Sequence, residues 1–267
     1  MSLLGGHSRG QVPHRPTGQG KAPGDSGFDA LHLPDHLGAP APFPALTAIA
    51  SATTSLRLGT YVLNAGFYKP ALLARDAGEL DALSDGRLDF GLGAGYVREE
   101  FEAAELPRPT ARQRVDYLEH VTTYLKKHLP RVPILIADNG NRLLTVAAQH
   151  ADIIGLTGAS SGDAADPLAE RAEFVREAAA GRFADLELNL AITAVPSDNS
   201  GTPDLTLTRR FVDLSGEQLL ALPSVLSGSP SDIADTLRGY REKYGLTSFT
   251  FQENHVDTVA KVIAALR

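Results

Sequence analysis

The chain has 267 residues, 43% of them hydrophobic, enough for one large α/β domain or two small ones and too apolar for a disordered protein. Its 25 basic and 32 acidic residues leave a net charge of −7 without the clustered cations that nucleic-acid phosphates require. The absence of cysteine removes disulfides, thiolate metal sites and cysteine nucleophiles, and no apolar run approaches the ~20 residues of a membrane helix.

The expected partner is therefore a small-molecule substrate rather than nucleic acid or membrane, and the expected location is cytoplasmic. The first 24 residues carry six glycines and three prolines, which break both helical and strand periodicity and predict an irregular arm. From Asp25 to Arg267 short apolar runs alternate with amphipathic segments, the pattern of βα units on a parallel sheet within one domain, 25–267.

The first predicted strand, Asp29–Pro34, runs into Asp35-His36-Leu37-Gly38. A carboxylate beside an imidazole at a strand exit suits proton exchange near neutral pH, and equally suits a helix cap with a solvated ring. His32 lies within this strand on the face of Phe28 and Ala30, so it reads as a packed, hydrogen-bonded histidine. With His36 it forms the only close histidine pair and has no further ligand nearby, so no metal site is expected.

The second strand, Leu56–Asn64, ends in Tyr61-Val62-Leu63-Asn64, with an amide at its exit. A helix over Lys69–Ser84 places Leu73, Ala77 and Leu80 on one face and stops at Ser84-Asp85-Gly86. The third strand, Arg87–Gly95, alternates glycine at Gly91, Gly93 and Gly95, which admits either a ligand or a neighbouring backbone at close range. Tyr96 and the position on the third strand disfavour a dinucleotide fingerprint.

Arg98–Glu102 reads as a solvated acidic helix face, and Thr110 caps a helix with Val115, Leu118, Thr122, Leu125 and Leu129 on one stripe. After the strand Pro133–Asp138, the turn Asp138-Asn139-Gly140-Asn141-Arg142 offers helix-N-terminal amides and one cation to a phosphate, or forms a plain capped turn. Three more strands are predicted at Asp152–Gly158, Leu186–Pro196 and Ser248–Glu253. Seven parallel strands suit either a closed (β/α)8 barrel or a doubly wound open sheet, and ligands then lie beyond the carboxyl ends of the strands.

Taken in order, the blocks Leu33-Pro-Asp-His-Leu-Gly, Leu56-Arg-Leu-Gly-Thr-Tyr-Val-Leu-Asn, Lys69-Pro-Ala-Leu-Leu-Ala-Arg, Leu83-Ser-Asp-Gly-Arg-Leu-Asp-Phe-Gly-Leu-Gly-Ala-Gly-Tyr and Val225-Leu-Ser-Gly-Ser-Pro-Ser-Asp-Ile-Ala resemble the luciferase-like monooxygenase superfamily, in particular its actinobacterial deazaflavin (coenzyme F420)-dependent oxidoreductases. The resemblance covers roughly Asp25 to Arg267. It implies a TIM-type (β/α)8 barrel with the ring of F420, or alternatively FMN, in the mouth. It implies Asp35 and His36 beside that ring as catalytic residues, a non-prolyl cis peptide at Tyr61-Val62, a polar contact at Asn64, Gly93-Ala94-Gly95 along the cofactor chain, and phosphate near Asn139 and Gly140.

The implied activity is hydride transfer to or from a small organic metabolite, with a reduced-FMN monooxygenase or a truncated non-catalytic flavin-binding relative as alternatives. Two departures stand out. The Gly/Pro-rich arm occupies the place of the first strand and helix, so a stave is expected to be missing, and Leu125 to Ile134 runs on where relatives insert a lid. An open barrel exposes two strand edges, which predicts closure by a second subunit in a homodimer or by part of the arm. Tyr96 stands where sugar-phosphate dehydrogenases of the family often carry an acid, so that activity is not expected.

Overall fold

The computed structural model describes residues 1–4, 27–158, 166–210 and 212–267. Its strands are β1 (Ser2–Leu4), β2 (Ala30–Leu33), β3 (Arg57–Thr60), β4 (Leu63–Asn64), β5 (Leu88–Gly93), β6 (Ile134–Ala137), β7 (Ile153–Leu156), β8 (Glu187–Ile192) and β9 (Leu246–Gln252). All neighbours are parallel in the order β3-β2-β1-β9-β8-β7-β6-β5-β4, and β3 also pairs with β5. Because β3 and β4 are two halves of one stave, the sheet closes on itself as a (β/α)8 barrel.

The expected missing stave is present. Ser2–Leu4 pairs with Ala30–His32 of β2 on one side and with Thr250–Gln252 of β9 on the other. It is the N-terminal segment, with no need of a second subunit, that fills the gap and removes the two exposed edges. Three apolar or small residues suffice because both flanking strands supply a complete ladder and Leu3 is buried on the outer face. Residues 5–26, the Gly/Pro-rich remainder of the arm, lie outside the described residues.

The helices that cover the barrel include α1 (Pro42–Ala52), α2 (Pro70–Leu83), α3 (Arg98–Ala103), α4 (Ala111–His128) and α5 (Asn141–His150), followed by α6 (Pro167–Ala178), α7 (Gly216–Leu220), α8 (Pro230–Tyr244) and α9 (Val256–Leu266). In α2 the predicted face of Leu73, Ala77 and Leu80 is buried, Pro70 opens the helix, and Asp85 and Gly86 leave it at positive φ. Thr110 caps α4 through a capping box with Gln113. Its buried stripe is Leu118, Val121, Thr122 and Leu125, with Val115 and Leu129 packed at the margin. α4 ends at His128 and β6 begins at Ile134, so no lid intervenes between them.

Strand alternation divides the barrel chemically. Residues such as Leu31, Leu58, Phe90, Ile136, Leu190 and Phe251 face the helices and form the apolar core. Facing inward, Asn189 donates to Ser248 Oγ at 2.9 Å and Thr250 Oγ1 at 3.0 Å, and Thr250 Oγ1 lies 2.6 Å from Ser2 Oγ. At the bottom Arg57 forms a bidentate pair with Asp89, and the terminal ammonium of Met1 pairs with Asp29. The first stave is thus tied in by polar interior bonds as well as by its ladder.

His32 is packed as expected, being 4% exposed, but its hydrogen bonding differs from expectation. Neither ring nitrogen has a partner among the described residues. Gly59, opposite it in the register, leaves room only for the imidazole edge, so the ring is held by packing alone. Burial lowers its proton affinity to about 4.

Candidate active site at the barrel mouth

The site begins with an irregularity in the second strand pair. Leu58 pairs with Leu88 and Leu63 with Leu92, so five steps along β3–β4 oppose four along β5. The extra residue sits at Tyr61-Val62, whose peptide bond is cis, in the place the resemblance implied. Where the ladder is interrupted, the Thr60 hydroxyl substitutes for it, donating to the Gly91 carbonyl at 2.7 Å and accepting from the Gly91 N–H at 3.0 Å.

The three alternating glycines are explained by this bulge. A Cβ on Gly91 would collide with the Thr60 carbonyl, one on Gly93 with Val62, and one on Gly95 with the Asn64 amide. The space a side chain would take is filled by the neighbouring strand, so of the two readings of this pattern the structure shows close backbone packing. Gly95 has φ +71°, which adds a second reason for glycine. Its carbonyl accepts from Arg114 Nε at 2.7 Å, fixing the loop after β5.

Asn64 and Asp35 link the exits of β4 and β2. The Asn64 side chain caps the turn Ala65–Phe67 by accepting from Gly66 N–H at 3.0 Å, while its backbone N–H donates to Asp35 Oδ2 at 3.1 Å. The Tyr68 hydroxyl also donates to Asp35. Burial pushes the Asp35 carboxyl above its ordinary range, against the stabilising pull of these two donors, and the nearby Glu100 adds to the rise. Tyr68 is raised by burial and then by the Asp35 charge.

His36 comes next in the chain, and its Nδ1 lies 2.9 Å from Glu100 Oε1. The same oxygen accepts from Leu37 N–H at 3.2 Å. Tyr96 stands edge-on to the imidazole, with centroids 6.3 Å apart and planes at 83°. Leu37 and Tyr96 are exposed, at 51% and 68%, so apolar surface flanks the imidazole on the solvent side.

The luciferase-like monooxygenase family model matches residues 4–201. The chain belongs to this family. It is 29% identical over 148 residues to the 5,10-methylenetetrahydromethanopterin reductase of Archaeoglobus fulgidus, covering 48% of this chain and 44% of that one. It is 41% identical over 64 residues to the oxygenase component of the flavin-dependent trigonelline monooxygenase of Acinetobacter baylyi, covering 24% and 18%. The chain therefore spans less than half the length of either curated relative.

Among solved structures, an F420-dependent secondary alcohol dehydrogenase in complex with an F420–acetone adduct superposes with a TM-score of 0.72 at 15% identity, covering 92% of each chain, which shows a shared fold. In this luciferase-like barrel the donor set at the mouth suits a flat, polar-edged ring. Asp35, His36 and Leu37 lie at one side of this mouth, and the Val62 side chain packs against Gly91 and Gly93 of β5.

Other carried-over positions sit differently. The Tyr61 side chain points down into the barrel, so at the mouth this residue has its backbone to offer. At Asn139 and Gly140 both backbone N–H groups donate to Asp138 Oδ1, at 2.6 and 2.7 Å, and Arg142 pairs with Asp116. The turn is thus capped by its own carboxylate and differs from an open phosphate cradle. The cation behind it is Arg171, 4% exposed, which donates to Asn141 Oδ1 at 2.5 Å and to the Asn139 carbonyl at 3.3 Å.

Sequence reasoning missed Glu100, Tyr68 and Arg171. The charge run Arg98–Glu102 reads as a solvated face, and nothing local marks Glu100 for a bond to a residue 64 positions away. For Tyr68 a signal existed in its place between a strand exit and Pro70, the region where barrel sites collect their polar groups.

Proposed function

We propose that this protein is an oxidoreductase that moves a hydride between coenzyme F420 and a small organic metabolite, bound together in the barrel mouth. The observation that carries this reading is the convergence of His36, Asp35 and Glu100 beside the bulge at Tyr61-Val62. Asp35, His36, the backbone at Tyr61-Val62, Asn64 and Gly93-Ala94-Gly95 would hold the ring system, and its phosphate-bearing chain would run past the turn at Asn139-Gly140, whose N–H groups Asp138 already occupies. When bound, the deazaflavin supplies the hydride acceptor or donor.

The chain's own part is orientation and proton management. His36 exchanges the proton that accompanies hydride movement, held by Glu100. Asp35 joins the β2 and β4 exits through Asn64, and Leu37 and Tyr96 give the substrate an apolar wall. A second reading, a monooxygenase using reduced FMN, is supported by the match to the flavin-dependent trigonelline enzyme.

Fluorescence titration with oxidised F420 and with FMN tests the proposal. Tighter binding of F420 is the expected result. Preference for FMN would favour the monooxygenase, and binding of neither would leave a non-catalytic relative of the family.

A further inference from the structure

We propose that Glu100 is a positioning residue that sets the tautomer of His36, an inference that rests on the reading of His36 as the proton-exchanging group. Glu100 sits in the first turn of α3, and its side chain is 14% exposed, so water competes weakly for its oxygens. Oε1 takes two hydrogen bonds, from Leu37 N–H and at His36 Nδ1. A backbone N–H can only donate, so Oε1 is an acceptor there, and a carboxylate accepting from residue 37 accepts from the adjacent ring as well.

The hydrogen of the neutral imidazole therefore lies on Nδ1, and the lone pair of the ring lies on Nε2. Since both bonds converge on one oxygen, residues 36 and 37 are held as a unit. Turning the ring over would break the bond at Nδ1 while the amide bond stayed. Asp35 is engaged by Asn64 N–H and the Tyr68 hydroxyl, and Tyr96 presents a ring edge.

The same pair ties two mouth loops together. Glu100 follows β5 and His36 follows β2, strands that are not neighbours in the sheet, so the contact spans the intervening β3–β4 exit. Loss of Glu100 frees the imidazole from its fixed orientation without removing any group that exchanges the proton.

The test uses the protein without cofactor, labelled with ¹⁵N-histidine and examined by long-range ¹H–¹⁵N correlation near pH 8.5, about two units above the ordinary histidine value. His36→Asn assigns the signals. The expected wild-type spectrum has His36 protonated on Nδ1. Glu100→Gln keeps that tautomer, because its amide oxygen can accept both bonds, whereas Glu100→Ala moves the ring toward the Nε2–H form preferred by unrestrained histidine.

A wild-type ring protonated on Nε2, or an unchanged tautomer in a folded Glu100→Ala, overturns the proposal. If Glu100→Ala does not fold, the wild-type spectrum alone decides it. Since no cofactor is needed, failure of the F420 titration would sink the proposed function and leave this result standing. In the loaded protein, turnover falls in Glu100→Ala and recovers in part in Glu100→Gln, with KM little changed.

Discussion

The phenol of Tyr61 crosses the barrel interior and donates to Asn189 Oδ1 at 3.2 Å, joining β3 to a strand on the opposite wall. Gly155 makes the crossing possible. A Cβ there would fall 2.7 Å from the Tyr61 hydroxyl and 2.6 Å from the Ala137 side chain. Gly155→Ala is therefore expected to overpack the interior and destabilise the fold by about 1–3 kcal/mol. Tyr61→Phe, which loses one neutral hydrogen bond while Thr250 still donates to Asn189, should lose about 1 kcal/mol. Urea unfolding of the two variants checks the order, and a Tyr61→Phe effect larger than that of Gly155→Ala would refute this account.

Gly95 and Gly86 both have positive φ, at +71° and +76°, but differ in what surrounds them. Alanine at Gly86 meets nothing within 4 Å and carries only the backbone penalty of roughly 1–2 kcal/mol. Alanine at Gly95 carries the same penalty and also displaces the Asn64 amide that caps the turn at Gly66. It should lose at least a further 1 kcal/mol or so, and weaken F420 binding, because Asn64 N–H also holds Asp35. Thermal melts and the fluorescence titration, run on both variants, would show equal losses if the glycine pattern were only a matter of φ.

These two cases also show what the chain reveals by itself. Seven strands, the α2 and α4 faces and the Asp35-His36 exit are readable because each rests on short-range periodicity or a local stop signal. Ser2–Leu4 is not, since three residues cannot establish a period and the glycines and prolines that follow mask them. The alternation of Gly91, Gly93 and Gly95 is visible in sequence, yet its cause is the bulge in the adjacent strand. Likewise Glu100 and Asn189 act on partners 64 and 128 residues away, which no local pattern encodes.

Replacing His36 with asparagine tests its place in the chemistry. The amide can still bond Glu100 Oε1, so the loop keeps its anchor, but it cannot exchange a proton near neutral pH. Turnover with F420 and a substrate is expected to fall roughly 10²–10⁴-fold, the usual range for a lost acid or base, while the dissociation constant of F420 changes far less. Parallel loss of binding and turnover would instead make His36 a cofactor ligand only.

The last prediction concerns pH and the buried His32. Burial holds this imidazole neutral down to about 4, with Asp89 pulling its proton affinity up and the Met1 ammonium and Arg57 pulling it down. In the unfolded chain it takes up its proton near the ordinary value of 6.5. Between those limits the unfolded state binds more protons than the folded one, so stability is complete above about 6.5 and falls as the pH drops toward 4. From about pH 7.5 to pH 5 the loss attributable to His32 is roughly 2 kcal/mol. His255, also lowered by burial, acts in the same direction, whereas Asp35, raised by burial, acts in the opposite one. Both remain in His32→Leu, so comparing that variant with the wild type cancels them. Urea unfolding at the two pH values should show the wild type losing about 2 kcal/mol more than His32→Leu. Equal losses would mean that the imidazole finds a partner or a proton inside the barrel, and that packing alone does not hold it.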